Sequence, residues 1–403
     1  TGGLTMQARQ PDSWEGWYWG AKHAWGNEPL GQNTHQHNLF KDISENSDAV
    51  LFWGCDPETT PWGWSGQQAS RLCFWFTEIG VKQIHIAPDV NYANAVHSDM
   101  WIPILPNTDA ALDFAVMYVW ITEGLYDQAY LDTHAVGFDD DHLPEGIPAG
   151  SSFKAYILGE GADATPKTPE WAEPICDVPA DRIRGAARLY ATAESASIQW
   201  GLAFDQQLSA MALCLAGCDL MALCGNVDVP GGNILQDIFD GSGDKVVAGL
   251  GWKLLPDELK EKVIGLEEYP AYVNMMLRAH ADRALDALET DIPYKIHGIW
   301  FGSTNLLAPT CSAQPKRWYN AAKDLDFNWV NDIFMTPTAM ALCDVFLPIS
   351  SCIEQDSIVP THYGGTPNYY SALNKCIEVG ECKGEFYNYH DMGLIVNPSA
   401  WTG

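Results

Sequence analysis

One stretch constrains the fold more than any other. Asp48-Ala49-Val50-Leu51-Phe52-Trp53 reads as a strand, Gly54-Cys55-Asp56-Pro57 as a turn, about Gln67 to Thr77 as a helix, and Gln83-Ile84-His85-Ile86 as a second strand. Strand, helix, strand in that order is a β-α-β unit, and its right-handed crossover makes the two strands parallel. Such sheets bind ligands at the carboxyl ends of their strands, where Gly54 to Thr60 falls. With 403 residues, 47% of them hydrophobic, the chain can bury a large core and has room for about two or three domains.

The same grammar continues downstream. Trp101-Ile102-Pro103-Ile104-Leu105-Pro106 reads as an edge strand, because proline cannot donate to a central ladder. Asn107-Thr108-Asp109 then opens a helix that ends near Gly124, and a second helix covers Asp127 to Thr133. From Asp140 to about Pro174 the Gly, Pro and acid content predicts a surface excursion. A helix follows from Pro179 to Ala193, then a strand at Ser197 to Trp200, a turn over Gly201 to Gln207, and an apolar helix from Leu208 to Leu223 capped by Gly225-Asn226. Val229-Pro230-Gly231-Gly232-Asn233 is a tight turn. Ile296 to Phe301 forms another strand closing at Gly302-Ser303-Thr304-Asn305, and Trp329-Val330 begins one more. Residues 1 to 40, rich in Trp, Gly, Asn and His without a clear period, read as an ordered aromatic loop region.

Charge removes several functional classes. Fifty-two acidic against 22 basic side chains give a formal charge of −30, which repels phosphate backbones and anionic lipid. Nucleic-acid and membrane-surface roles are not expected, and no apolar run approaches the roughly 20 residues of a membrane span. The 11 cysteines lie in apolar stretches such as Leu72-Cys73-Phe74, as small buried hydrophobes do, and none has the C-x-x-C spacing of structural zinc or iron–sulfur sites. No iron–sulfur cluster is expected in this segment. Reduced thiols suit a cytoplasmic or anaerobic setting, or export with the thiols free, so compartment stays open. The chain starts without Met and stops at Trp401-Thr402-Gly403, which reads as a segment of something longer.

Three turns carry the candidate chemistry. Those at Gly54, Gly201 and Gly302 each join a strand to polar side chains at a helix start, with a small residue that lets backbone approach a ligand; such turns bind nucleotide phosphates. None is a G-x-G-x-x-G fingerprint or a P-loop, and a generic turn is the simpler account of any one alone. Asp109 at a helix start and Asp332 after a strand could accept paired hydrogen bonds from a guanine edge or a ribose, or serve as helix caps.

These residues carry a family resemblance. Gly54-Cys55-Asp56-Pro57-Glu58-Thr59-Thr60, Trp101 to Leu112, Leu223 to Gly232, Asp332 to Ala339, Cys343 to Pro348 and Glu354 resemble, in order, the molybdopterin-guanine-dinucleotide oxidoreductases of the dimethyl sulfoxide reductase family. In that family two pterin cofactors sandwich one molybdenum or tungsten. The resemblance implies a bis-molybdopterin guanine dinucleotide contacted by Gly54, Asp56, Pro57, Thr59, Asp109, Gly201, Gln206, Gly225, Asn226, Ser303, Asn305 and Asp332. The chain departs from the family in Ala87-Pro88-Asp89, where many relatives have Asp-Pro-Arg, and in Leu306 where a proline is usual.

Pro11-Asp12-Ser13-Trp14-Glu15-Gly16-Trp17-Tyr18-Trp19-Gly20 is most similar to the branch of pyrogallol-phloroglucinol transhydroxylase and the catechol dehydroxylases. That similarity implies Ser13 as the metal ligand through its hydroxyl oxygen, a hard donor suited to an oxophilic metal, and Asp12 as an acid/base whose pKa rises beside Trp14 and Trp17. Without it, Asp12-Ser13 would read as a turn or a helix cap. The opening aromatics would form a box around a phenolic ring or simply pack in the core, Tyr269 and Tyr272 are further phenols in reach, and His23, His35 and His37 read better as structural than as proton shuttles.

The expected architecture is α/β, two doubly wound domains with mostly parallel sheets: residues 1–195 with the metal ligand and first guanine-dinucleotide site, 196–403 with the second. The expected activity is removal or transfer of a hydroxyl on a catechol-like or polyphenolic ring, with an iron–sulfur electron-transfer subunit or domain as partner. A small-oxide reductase, a hydratase, and a metal-free scaffold are the alternatives.

Overall fold

Strand β1 (Ala49–Trp53), buried along its whole length, lies at the centre of the first of two parallel sheets. The computed structural model describes residues 15–25, 39–59, 68–233, 256–276, 279–308, 314–360, 370–396 and 398–400. They form two units, one of the described residues up to 233 and one of those from 256 onward.

In the first unit α1 (Glu15–Trp25) and α2 (Leu39–Asn46) precede β1. Helix α3 (Gln68–Ile79) crosses to β2 (Lys82–Ile86), which pairs with β1 in parallel, Ala49 opposite Lys82 and Trp53 opposite Ile86. Helix α4 (Tyr92–His97) leads to β3 (Met100–Ile102), a strand at the sheet edge as the prolines predict, though it stops before Pro103. Helices α5 (Asp109–Glu123), α6 (Gln128–His134), α7 (Phe153–Leu158), α8 (Pro169–Cys176) and α9 (Ala180–Ala191) intervene before β4 (Ala196–Trp200). The sheet order is β3-β2-β1-β4, all parallel. Helices α10 (Leu202–Asp205) and α11 (Ala210–Leu223) follow.

Alternation along β1 divides the core. Ala49, Leu51 and Trp53 pack with apolar residues of α5, α9 and α11, while Val50 and Phe52 pack with Cys73 and Phe76 of α3 on the opposite face. Helices on both faces make the unit doubly wound, as the expected fold class requires.

Three expectations change. The expected boundary at residue 195 falls inside this unit, because β4 pairs with β1 from Ala49 opposite Ala196 to Trp53 opposite Trp200. The excursion from 140 to 174 contains α7 and α8, started by Ser152 and Thr168, whose side chains accept hydrogen bonds from the Ala155 and Trp171 N–H groups. The opening is not wholly loop, since Glu15–Trp25 is helical and docks along α11. Small residues make that contact: a Cβ on Gly20 would meet Leu215 N at 2.7 Å, and one on Gly16 would meet Ala210 Cβ at 2.8 Å.

In the second unit α12 (Asp257–Lys260), α13 (Pro270–Met276) and α14 (Ala281–Thr290) precede β5 (Gly298–Gly302), α15 (Pro315–Ala322), β6 (Phe327–Asp332), α16 (Pro337–Leu342) and β7 (Val345–Pro348). The sheet order is β5-β6-β7, again parallel, with Phe301 and Val330 packed on Ala322, Ala339 and Leu342. An antiparallel pair, β8 (Ser357–Pro360) and β9 (Tyr370–Leu373), and helix α17 (Glu385–Val396) complete it. No described helix is long and apolar enough to cross a membrane.

Candidate functional site

The chain moves from β1 to β2 to β3 on one side and then places β4 on the other side of β1, so the order reverses between β1 and β4. A crevice opens beyond the carboxyl ends of strands at such a point. Here it is lined by backbone: Gly54 has φ +65°, and a Cβ on Gly201 would meet Gly54 O at 1.9 Å. Gly201 N donates to Trp53 O at 2.8 Å, which fixes the two strand ends together.

Asp109 comes to the same edge from the start of α5. Its Oδ1 accepts Trp53 Nε1 at 2.8 Å and its Oδ2 accepts Gln207 Nε2 at 3.0 Å. Each oxygen keeps a second lone pair, so the carboxylate can still receive donors of a ligand. The structure therefore joins Gly54, Gly201 and Asp109. The side chain that holds Asp109 at this edge is that of Gln207, the neighbour of Gln206.

The turn after β1 is stabilised from within. Asp56 Oδ1 accepts the Glu58 and Thr59 N–H groups at 3.0 and 3.2 Å, and Thr59 Oγ1 donates to Asp56 Oδ2. Asp56 and Thr59 thus shape the turn, Pro57 is buried in it, and Glu58 turns inward to meet His97 Nε2 at 2.8 Å. Beneath them, burial first and His97 second lower the His85 pKa to about 4, and burial pushes the Cys55 thiol up to about 12. His85 is neutral near pH 7, and neither of its buried ring nitrogens has a hydrogen-bond partner.

Carboxyl groups collect behind this edge. Asp205, at the end of α10, is buried, and a Cβ on Gly16 would lie 2.0 Å from its Oδ1, which brings the first turn of α1 to the site. Burial, with Asp219 and Asp109 nearby, holds the Asp113 carboxyl far above the usual range; burial pushes Asp219 up to about 7.

The second unit offers its own carboxyl edge, where Ser303 follows β5 and Asp332 ends β6. Ser303 has φ +46° and donates its N–H to Asn331 O at 2.9 Å. Asn305 Oδ1 accepts Thr338 Oγ1 at 2.8 Å, pinning the turn to α16, and Asp332 Oδ1 accepts Phe334 N at 3.1 Å. These contacts give Asn305 and Asp332 turn-holding roles. Trp300, Trp329 and Phe327 stack along the sheet toward its amino end, with centroids 5.7 and 5.5 Å apart, and the Tyr389 ring meets Trp300 at 4.7 Å.

Several expected site residues lie elsewhere. Gly225 and Asn226 stand at the amino edge of the first sheet: Asn226 O accepts Asn233 N at 2.7 Å, and the same loop receives Ser195 Oγ on Pro230 O at 2.7 Å, just before β4 begins. They close α11 and are not part of the carboxyl-edge cluster. Trp17 is fully buried against Trp200 and Phe204, so it packs the core rather than lining a box. Tyr269 and Tyr272 both pack on His280 in the second unit, and His23 Nδ1 contacts Trp19 O at 2.6 Å as a structural histidine does. Asp12, Ser13, His35 and His37 lie outside the described residues.

The sequence profile of the Molybdopterin oxidoreductase family matches residues 17–383. The pyrogallol hydroxytransferase large subunit of Pelobacter acidigallici is 36% identical over 189 residues, 47% of this chain and 20% of that protein. A dimethyl sulfoxide reductase of Escherichia coli is 40% identical over 201 residues, 49% of this chain and 24% of that one. In fold, the chain is similar to the acetylene hydratase from Pelobacter acetylenicus, with a TM-score of 0.66 at 22% identity, covering 93% of this chain and 51% of that one. The chain spans less than half the length of the two curated relatives.

Proposed function

The chain belongs to the molybdopterin oxidoreductase family, and from that premise we propose that it is part of an enzyme that removes or transfers a hydroxyl on a catechol-like or polyphenolic ring. The observation that carries the reading is the docking of α1: Gly16 lies against Asp205 beside the Gly54 and Gly201 edge, and Ser13 is only three residues earlier in the sequence. The opening from Pro11 to Gly20 is also the stretch that resembles the hydroxyl-transferring branch, and a relative named for acting on pyrogallol is among the similar proteins.

Family membership implies a molybdenum or tungsten ion held by molybdopterin, which supplies two-electron redox chemistry and oxygen transfer. The residues present fit the guanine dinucleotide form at the first edge, because the strand ends close with bare backbone and Asp109 presents free lone pairs beside them. Gly54 and Gly201 would admit the pyrophosphate, Asp109 would accept donors of the guanine, and Ser303, Asn305 and Asp332 would border the second dinucleotide. Ser13 would hold the metal through its hydroxyl oxygen. Asp12 would give a proton to a ring carbon and shift the phenol toward its ketone tautomer, and the hydroxyl would leave as water or pass to another ring. Loss as water would consume two protons and two electrons, the electrons supplied by an iron–sulfur subunit or domain, whereas transfer to another ring would need no net electrons.

The test is metal and guanine content of anaerobically purified full-length protein, native and Ser13→Ala, followed by turnover of pyrogallol and catechol. The expected result is metal and guanine together in the native protein, phenol turnover, and loss of turnover in the variant by at least about 100-fold. Metal without phenol turnover, with sulfoxide reduction or alkyne hydration instead, would move the chain to another activity of the family. Protein that holds neither metal nor guanine would leave the scaffold alternative.

A further inference from the structure

Glu58 sits in the turn after β1, yet its carboxylate does not point to solvent. Its Oε1 meets His97 Nε2 at 2.8 Å, with the His97 side chain 3% exposed and that of Glu58 24%. The other ring nitrogen of His97 contacts Thr77 Oγ1 at 3.2 Å. Thr77 Oγ1 in turn accepts Gln83 Nε2 at 2.9 Å, and Gln83 Nε2 also donates to Cys73 O at 2.8 Å. An unbroken chain of polar contacts thus runs from the turn through α4 and α3 to β2, on the face where Val50, Phe52, Cys73 and Phe76 pack. Only one end of it lacks regular structure: α3, α4 and β2 are regular elements, whereas the turn is held from within by the Asp56 contacts to Glu58 and Thr59.

The geometry points to Glu58 and His97 as a positioning pair for the first strand-to-helix turn. By tying Glu58 to α4, the pair holds the backbone from Gly54 to Thr59 in the one arrangement that can receive the pyrophosphate of a guanine dinucleotide, so that the turn need not be ordered when the cofactor binds. The inference rests on the dinucleotide reading given above. Neither residue touches the cofactor. Their effect is on the conformation of residues that would, and preorganisation of this kind raises affinity by removing an ordering cost.

Glu58→Ala, His97→Ala and the double variant test this in the full-length chain, with Glu58→Gln as the conservative replacement that can still hydrogen-bond to His97. Two quantities are read: amide hydrogen exchange of the cofactor-free protein in peptides covering residues 54–59, with α5 as internal reference, and bound guanine released from protein purified with the cofactor supplied. The expected result is at least about tenfold faster exchange of the turn with α5 unchanged, and several-fold less guanine, in both single variants. The double variant should be no worse than either single one, because all three remove the same contact, and Glu58→Gln should recover most of the loss. Unchanged exchange of the turn, acceleration of the turn and α5 together, or native guanine content in Glu58→Ala while the native protein is loaded, would each overturn the positioning role. A native protein with a protected turn and no guanine would overturn it by a different route, through the dinucleotide reading itself.

Discussion

The Asp113 carboxyl is wholly buried on α5, and neither of its oxygens finds a donor. Facing it are Asp219 and Cys218 from α11 and Asp109 one turn back on its own helix; burial dominates, and the two acids add to it. An ionised carboxylate there is far more costly than a neutral one, so burial favours the protonated form and moves the group's titration upward. A carboxyl whose folded pKa lies above its unfolded value of about 3.9 gives its full stabilisation below that pH and loses it as pH rises through the folded value. Asp219 beside it, pushed up to about 7, shares the same sign, so its part of the loss runs from about pH 4 to about pH 7. Asp113→Leu removes the ionisable group and an unpartnered polar one; it should raise stability at pH 8 by about 1–3 kcal/mol and flatten the pH profile, read from urea midpoints at pH 5 and pH 8. A profile as steep as that of the native protein would place the pH dependence elsewhere. Asp109 could be found from sequence because an acid opens a helix just after an edge strand. Gln207 and the Glu58–His97 contact could not, since partners 98 and 39 residues apart meet only through the tertiary fold.

Helix α1 shows why an element can hide in plain sequence. Its closest approach to α11 is at Gly16 and Gly20, which have poor helix propensity and no apolar side chain, so apart from Trp17 against Gly217 hydrophobic periodicity passes over the seam. What those glycines provide is backbone proximity. Gly20→Val would drive a branched side chain into Leu215 N and the Cys214 Cβ, which lie 2.7 and 2.8 Å from an ideal Cβ. The backbones must separate, so the variant should lose about 1–3 kcal/mol or more and melt at lower temperature; a melting curve unchanged from the native one would refute the close seam. Helices α7 and α8 are hidden for the opposite reason. Gly and Pro around them suggest loop, although Ser152 and the Thr168-Pro169 pair are ordinary helix-start signals. Strands β1 and β2 and helix α5 are legible because each carries a local pattern that burial then reinforces.

At the scale of the whole molecule, parallel α/β architecture follows directly from the alternation of strands and helices, whereas a division at residue 195 does not match the sheet. Nothing local in Ala196–Trp200 says that its partner is β1 rather than a later strand; that pairing is decided by which edge of the sheet remains open. Charge is the other global property, and it works against compactness. Of 22 basic side chains, several are committed to acids, as in Arg184 with Glu170, Arg188 with Glu123, and Arg317 with Asp286. A formal charge of −30 is left over. Exposed pairs contribute little, about 0–1 kcal/mol each, and salt weakens them, but salt also screens the repulsion among the surplus carboxylates. That repulsion outweighs the exposed pairs, so the melting temperature should rise as sodium chloride is brought from about 10 mM to about 150 mM, where the Debye length falls to about 8 Å, and then level off. Sodium chloride is the salt to use, because sulfate would stabilise burial by exclusion and obscure the screening. A steady fall with salt would mean that the ion pairs, not the repulsion, set the balance.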